Sequence, residues 1–257
     1  MLFTVLLGTG ILLSVLHAAA QSTKQPAYRL QVQFIDKDNS FDPQPLKLQT
    51  AFATKQLCLN YIQALPKLLS SKGYPTASVD SIFEQQDLTT IHVFLGKQYQ
   101  WIKLRTDSVD KAALDDSRFR EKDYNGRLLN IPQLISVQER ILNYYENNGY
   151  PFAQVFLDSI RLDEEKMDAM LKARKGILYH VDSIRLFGKA KISRRFLQHY
   201  LGISNGSLYN KEKLQQVGKR LLELPYLQEV QPNDLSLLGT GSVLNLYLAP
   251  RRSSQVN

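Results

Sequence analysis

The chain has 257 residues, of which 44% are hydrophobic, with 13 glycines and 10 prolines. This composition excludes a disordered or fibrous chain and indicates globular material. The single cysteine, Cys58, excludes an intramolecular disulfide, and we expect its side chain to act as a small buried hydrophobe.

Residues 1–20 resemble a secretory signal peptide. They carry no Lys, Arg, Asp or Glu, contain a short apolar run and end in small residues before Gln21. The run is short for a transmembrane helix, which needs about 20 apolar residues. We therefore expect an exported protein with a signal peptide at residues 1–20 and a linker at residues 21–27.

The first predicted unit opens with a strand at residues 28–34 (YRLQVQF), whose apolar side chains alternate on one face. A short helix is predicted next, around Pro43 to Phe52. A longer amphipathic helix follows, because Leu65 and Leu69 share one face at a spacing of four residues. The segments ASVDSIF and IHVFL then alternate as two hairpin strands do. The unit is predicted to run strand, helical region, helix, strand, strand.

The phrase Gly-Tyr-Pro ends this helix and returns 76 positions later. Its six residues are Gly73, Tyr74, Pro75, Gly149, Tyr150 and Pro151. We expect each glycine at the C′ position of the preceding helix, in a left-handed conformation, with the proline preventing continuation of the helix. A phrase that returns at a fixed period indicates a repeat architecture.

A third, degenerate copy is predicted around Tyr226, another 76 positions on, where Pro225 stands in place of the glycine. Apolar residues precede all three tyrosines in one register, so a helix is predicted before each: Leu65 with Leu69, Ile141 with Tyr145, and Val217 with Leu221. A second phrase, Gly-x-x-Tyr, marks the junctions between units: Gly96 with Tyr99, and Gly176 with Tyr179. A unit of about 75 residues has only marginal stability by itself, so we expect contacts with neighbouring units to stabilise it.

These features together resemble tandem POTRA domains, the periplasmic arms of the BamA/TamA superfamily of outer-membrane assembly factors. The resemblance covers roughly residues 28–250 and is best in residues 177–250, with Gly188 after the first strand, a first helix around Ile192 to Leu201, and Gly206-x-x-Tyr209 before the second helix. It implies an α+β fold of three β-α-α-β-β units, each a small three-stranded sheet covered on one face by two helices.

The predicted units occupy residues 28–97, 98–176 and 177–250, followed by a tail at residues 251–257. The resemblance implies a transmembrane β-barrel after the last unit, and these 257 residues contain no such alternating strands. We therefore expect a fragment or a truncated gene product, whose tail leads to a missing barrel.

Residues with catalytic or metal-binding chemistry form no recognisable constellation in the sequence. The four histidines lack metal-ligand spacing, and no nucleophile motif or phosphate-cradling glycine loop is present. Asp163, Glu164 and Glu165 fall between two predicted strands, where we expect a solvated turn and not a metal site. We expect a protein that is not an enzyme and that uses no metal or cofactor.

A binding role follows from the implied fold, because a small open sheet leaves an edge strand to which an extended client can add. The resemblance places that edge at Ala77 to Ile82, Ala153 to Ile160 and Leu227 to Gln231. The middle strand contains the apolar run Val155, Phe156, Leu157. Successive side chains of a strand point to opposite faces, so at least one of the three should point away from the helices. The hypothesis is a client-contact edge at Gln154, Val155, Phe156 and Leu157; packing against the neighbouring unit is an equal alternative.

Charge is concentrated in the last third of the chain. Residues 28–96 hold 6 basic and 6 acidic residues and residues 97–176 hold 14 and 13, whereas residues 177–257 hold 11 and 5, out of a total net charge of +8. A basic patch is predicted at Lys189, Lys191, Arg194, Arg195, Arg251 and Arg252. Anionic lipid headgroups are one possible partner for this patch and a solvated helix face is the alternative. The export signal and the balanced charge of the first two units disfavour nucleic acid.

The function expected from the resemblance is that of a periplasmic client-binding module of an outer-membrane protein assembly factor. Its partners would be unfolded outer-membrane clients, a β-barrel outside this chain and accessory periplasmic proteins. One alternative is a transporter arm of the same superfamily for a dedicated secreted partner or lipid. Another is a barrel-less soluble scaffold or chaperone of the periplasm.

Overall fold

The computed structural model describes residues 28–251. The predicted signal peptide, the linker and Arg252 lie outside the described residues. Within residues 28–251, three small mixed sheets each carry helices on one face, which confirms the predicted α+β class. We call each sheet with its helices a unit, numbered in chain order.

Unit 1 contains four strands and one α-helix: β1 (Tyr28–Phe34), β2 (Ala51–Phe52), α1 (Lys55–Ser71), β3 (Ser78–Glu84) and β4 (Leu88–Phe94). Thr54 begins α1 by accepting a hydrogen bond from the Leu57 amide, and Gly73, with φ of 95°, follows its end. The buried face of α1 carries Cys58, Ile62, Leu65 and Leu69, so the expected burial of the cysteine is confirmed. Burial raises the pKa of the Cys58 thiol, which suits a packing role.

The short α-helix predicted around Pro43 to Phe52 is wrong. The structure has a single 3-10 turn at Gln44–Leu46, a left-handed residue at Lys47 and then the short strand β2. Prolines at positions 43 and 45 supply no backbone N–H, and each disfavours the α conformation of the residue before it. Leu46 is still buried in the core of unit 1, so the segment contributes to the core without forming an α-helix.

Unit 2 contains three strands and two α-helices: β5 (Gln100–Ser108), α2 (Lys111–Asp116), α3 (Ile131–Asn147), β6 (Gln154–Asp163) and β7 (Lys166–Arg174). Asn130 begins α3 by accepting a hydrogen bond from the Gln133 amide. The buried face of α3 carries Ile141 and Tyr145 in the register that the repeat predicts.

Unit 3 repeats the same order: β8 (His180–Phe187), α4 (Arg194–Leu201), β9 (Ser207–Leu208), α5 (Lys211–Leu222), β10 (Leu227–Leu238) and β11 (Gly241–Pro250). Ser193 and Asn210 cap the N-termini of α4 and α5. The third copy is therefore a complete unit despite its degenerate sequence.

The three sheets share one topology. In each, the first strand lies parallel to the last, as in the pairing of Arg29 with Leu88 and of His180 with Gly241, and the strand after the long helix lies at one edge. Units 1 and 3 add a two-residue fourth strand, β2 or β9, beside their first strand. In unit 2 a single bridge from Leu128 to Gln100 occupies the same place.

Candidate functional site

The strands β3, β6 and β10 lie at the edges of their sheets, each paired on one side only with the last strand of its unit. These strands contain most of the residues predicted to form client-binding edges. The unpaired side of such a strand presents backbone N–H and C=O groups that a further strand can bond. The geometry needed for strand addition is thus present three times.

The predicted contact segment lies at the start of β6, and its side chains point to both faces of the sheet. Val155 and Leu157 pack against the core of unit 2, opposite Ala173 and Leu171 of β7. Phe156 points to the face without helices, as the alternating pattern requires.

Phe156 is not left free on that face. The guanidinium of Arg174 lies 5.5 Å above its ring centroid and also donates to the Gln154 side chain at 3.3 Å. Lys172, which lies opposite Phe156 on β7, forms a salt bridge with Asp158. A bulge then interrupts the pairing between Asp158 and Arg161, with Ser159 at φ of 51°. The regular edge of β6 is therefore short, and the side chains of its outer face are engaged within unit 2.

The two repeated phrases meet at the joints between units. The Tyr99 amide donates to the Gly73 carbonyl at 2.7 Å in the first joint, and the Tyr179 amide donates to the Gly149 carbonyl at 2.8 Å in the second. Each bond links the end of one unit's long helix to the segment that opens the next unit. The repeat that is visible in the sequence therefore encodes the joint as well as the helix end.

Glycine is required at these joints for both its conformation and its lack of a side chain. Gly73 and Gly149 have φ of 95° and 96°, where other residues are strained. A Cβ atom at Gly149 would lie 2.5 Å from Leu178 Cδ1 and 3.2 Å from Leu208 Cδ2, both of unit 3. In the third copy, Pro225 is exposed, and the Tyr226 backbone carbonyl accepts a hydrogen bond from the Arg251 amide instead.

The second joint contains a reciprocal exchange of helix caps. The Asn147 side chain, at the end of α3, accepts a hydrogen bond from the Glu212 amide in the first turn of α5 at 2.9 Å. In return, the Asn210 side chain donates to the Asn147 carbonyl at 2.8 Å. Lys211 and Glu146 form a salt bridge of 2.6 Å beside them. Groups that a helix terminus normally leaves unpaired are thus satisfied by the neighbouring unit.

The first joint lacks this exchange. Pro132 occupies the position in α3 that corresponds to Glu212 in α5, and it has no N–H to donate. Ser71, which corresponds to Asn147, bonds within its own helix to the Leu68 carbonyl. Beyond the Tyr99 bond, the Gln98 side chain donates to the Lys72 carbonyl, and a groove opens between α1 and α3. The two joints are therefore built differently despite their common glycine.

The junction after unit 1 is also held by a carboxylate. Asp36 accepts hydrogen bonds from the Leu95 and Gly96 amides, each at 2.8 Å, and from Lys37 at 2.9 Å. Partial burial opposes ionisation, but these donors outweigh it and lower the pKa of Asp36. Lys37 also donates to the Gly96 carbonyl at 2.6 Å, so both polar groups of that glycine are satisfied.

The predicted basic patch is brought together in part. Lys189 and Lys191 lie in the loop after β8, Arg194 and Arg195 open α4, and all four are exposed. The chain turn at Gly188 passes directly over β11, since a Cβ there would lie 2.3 Å from the Leu248 carbonyl oxygen. Arg251 lies at the same end of the sheet, and Arg252 lies outside the described residues.

The acidic cluster lies where the sequence predicted it. Asp163 ends β6, Glu164 adopts φ of 52° and Lys166 begins β7, so the cluster forms a tight turn. Glu165 is bound by Lys97 at 2.9 Å. Across residues 28–251, no group of three or more His, Cys, Asp and Glu side chains is arranged to hold a metal ion. Over the same range, no helix is long and apolar enough to cross a bilayer.

Comparison with known proteins identifies the type of unit. Residues 179–248 match the family model of POTRA, described as a surface antigen variable number repeat. No curated protein matches the chain. The chain is similar to the crystal structure of POTRA domains 3–5 of BamA from Haemophilus influenzae, with 16% identity and a TM-score of 0.52 over 85% of this chain and 96% of that one.

Two further structures are similar at lower scores. BamA from Haemophilus ducreyi lacking POTRA domains 1–3 has 15% identity and a TM-score of 0.46, over 60% of this chain and 30% of that one. POTRA domains 1–3 of Omp85 from Anabaena have 12% identity and a TM-score of 0.34, over 88% of this chain and 95% of that one. The family match over residues 179–248 and the fold of the Haemophilus influenzae structure confirm the predicted resemblance to POTRA domains.

Sequence reasoning missed the residues that distinguish the joints. The role of Asn147 depends on the approach of α5 from another unit, so no local pattern reveals it. Asn210 carries a local signal, since it stands directly before the predicted α5 and asparagine is a favoured N-cap. Its second bond to Asn147 is visible only in the structure.

Proposed function

Because residues 179–248 belong to the POTRA family and the chain has the fold of tandem POTRA domains, we propose that this protein is the periplasmic client-binding arm of an outer-membrane assembly factor of the Omp85 superfamily. The unit boundaries at residues 97 and 176 and the β-barrel outside this chain belong to the same proposal. In this role the protein binds clients without catalysis.

The single observation that carries the proposal is the free edge of each sheet. Three edge strands occur in one array, and each offers backbone groups on one side. Clients of an assembly factor differ in sequence, and main-chain hydrogen bonding tolerates such differences. We place the first contact at Gln154 to Leu157, where the side chains are already engaged within unit 2 and the backbone remains for the client.

A pair of substitutions at Val155 tests this proposal. The Glu165 carbonyl of β7 bonds to the Gln100 amide of β5, so alternate β7 residues from Glu165 to Ala173 turn their backbone groups to β5. Ala173 is the partner of Val155, so the Val155 N–H points to the free edge of β6. Val155→Pro removes this N–H, so crosslinking to an unfolded outer-membrane client should fall by about fivefold or more. Val155→Ala shortens the side chain but keeps the N–H, so it is the matched control and should retain most of the crosslinking. Thermal melts should show that both variants fold. Equal loss in the two variants would assign the contact to the side chain and contradict strand addition.

Attachment to a barrel is tested on the native product. An antibody against residues 177–250 should detect a heat-modifiable band in the outer-membrane fraction that is larger than the 29.4 kDa chain. A soluble periplasmic band close to 29.4 kDa would replace this proposal with that of a free periplasmic binding module.

A further inference from the structure

The end of unit 3 that lies away from the second joint concentrates unpaired positive charge. This free end is formed where β8 and β11 finish and β10 begins. It carries five cations, Lys189, Lys191, Arg194, Arg195 and Arg251, and none of them lies within an ion-pair distance of a carboxylate in the described part of the chain.

The neighbouring carboxylates form no ion pairs with these cations. Glu223 accepts a hydrogen bond from the Tyr200 hydroxyl at 3.2 Å, and Glu229 accepts one from Asn233 at 3.1 Å. By contrast, Lys97 in the first joint and Lys211 in the second are each paired with a carboxylate. The free end therefore carries more positive than negative charge.

Aromatic side chains lie among these cations. Phe187 stacks on Tyr247 with ring centroids 5.1 Å apart, and Phe196 stacks on Tyr200 with centroids 5.6 Å apart. Each phenylalanine still exposes 42% of its surface, and Tyr226, next to Arg251, exposes 51%. Cations together with exposed aromatic rings are the combination that suits the polar boundary of a lipid bilayer.

We propose that the free end of unit 3 docks on a membrane surface containing anionic lipids, with its cations bound to phosphate headgroups and Phe187 and Phe196 at the headgroup boundary. The inference names a lipid contact for the proposed arm, but it rests on the surface itself. A nucleic acid track is disfavoured because the charge is confined to one end, whereas units 1 and 2 are close to neutral.

Vesicle co-sedimentation of the full chain tests the proposal. The protein should bind phosphatidylcholine vesicles that contain phosphatidylglycerol, more weakly at high salt, and should not bind phosphatidylcholine alone. Reversing four cations together (Lys189→Glu, Lys191→Glu, Arg194→Glu and Arg195→Glu) should weaken binding more than about a hundredfold. The matched control makes the same charge change at four exposed lysines of units 1 and 2 (Lys47→Glu, Lys67→Glu, Lys103→Glu and Lys122→Glu) and should bind at least tenfold more tightly than the first variant.

A second variant separates aromatic contact from charge. Phe187→Ser with Phe196→Ser leaves the charge unchanged and should weaken binding about tenfold, with the salt dependence preserved. The proposal is overturned if the wild-type chain ignores the anionic vesicles, if the control variant loses as much binding as the charge-reversed one, or if the double serine variant binds as the wild type does. Displacement of the vesicles by an equal phosphate concentration of duplex DNA would assign the surface to nucleic acid instead. Client crosslinking in the Val155 variants is measured without vesicles, so failure of one proposal is separable from failure of the other.

Discussion

At the residue scale, the joint glycines combine two requirements that substitutions can separate. Gly149 has a positive φ and a neighbour in the space where a Cβ would lie, whereas Gly126 has φ of 69° with nothing within 4 Å of that position. Alanine at either site therefore introduces backbone strain of about 1 kcal/mol. Only alanine at Gly149 also displaces Leu178.

We expect Gly149→Ala to lower the melting temperature more than Gly126→Ala does. The free energy of unfolding of Gly149→Ala should be lower than that of Gly126→Ala by about 1–3 kcal/mol, as at other overpacked sites. This difference should arise because the added methyl group pushes units 2 and 3 apart. Calorimetry of both variants gives the comparison. Equal shifts would mean that Leu178 moves aside without cost and that only the backbone conformation requires glycine.

Asp36 gives a pH-dependent prediction. The folded-state pKa of Asp36 is lowered, so its contribution to stability is present above the unfolded pKa of about 3.9 and is lost as the pH falls through the folded value. Asp36→Asn should lower the free energy of unfolding by about 1–3 kcal/mol near neutral pH. This gap in free energy of unfolding between the variant and the wild type should disappear at acid pH, where Asp36 is protonated.

Urea unfolding of both proteins between neutral and acid pH measures this gap. Asp107→Asn, at an exposed position of β5, serves as the control and should show no gap at any pH. A gap for Asp36→Asn that stays constant down to the lowest pH would show that the carboxylate charge is not what holds Leu95 and Gly96.

At the element scale, the exchange of caps between α3 and α5 predicts a stiff second joint. Asn147→Ala leaves the Glu212 amide without its partner at a cost of about 1 kcal/mol. The change should broaden the distribution of distances between spin labels in units 2 and 3. Asn143→Ala, one turn earlier on α3 and exposed, is the matched control. If both variants give the wild-type width, the joint owes its stiffness to Gly149 and its apolar neighbours alone.

The elements also show what the sequence could and could not predict. Helix ends were predictable because Gly73 and Gly149 are required locally by a positive φ. The predicted opening helix of unit 1 is wrong because prolines 43 and 45 disfavour the α conformation there. At the edge of β6, alternation predicted that at least one of Val155, Phe156 and Leu157 faces away from the helices. Which one does so depends on the register with β7, including the bulge after Asp158, and the local pattern does not contain that register.

At the scale of the whole molecule, the different joints predict an order of opening. The second joint adds three polar contacts, through Asn147, Asn210 and Lys211, that the first joint lacks. Units 2 and 3 should therefore behave as one body to which unit 1 is attached more loosely. Lys97 and Lys175 are exposed lysines at the two junctions, and each is paired with one carboxylate.

Limited trypsin digestion should cleave after Lys97 before it cleaves after Lys175. Mass spectrometry of early time points should then find a fragment that begins at Gln98 and contains units 2 and 3 intact. Earlier cleavage after Lys175 would contradict the difference between the joints. A Lys97→Gln variant removes the first site, and its digestion shows whether cleavage at Lys175 depends on prior release of unit 1.

The parallel pairing of first and last strands has a consequence for how the molecule is made. Arg29 pairs with Leu88 and His180 with Gly241, so no sheet can close until about 60 further residues have emerged from the ribosome. If the units fold in chain order, the opening strand of each new unit meets a neighbour whose glycine carbonyl is already in place to receive its tyrosine amide. We therefore expect folding to proceed from unit 1 to unit 3, with each completed unit offering a preformed contact to the next.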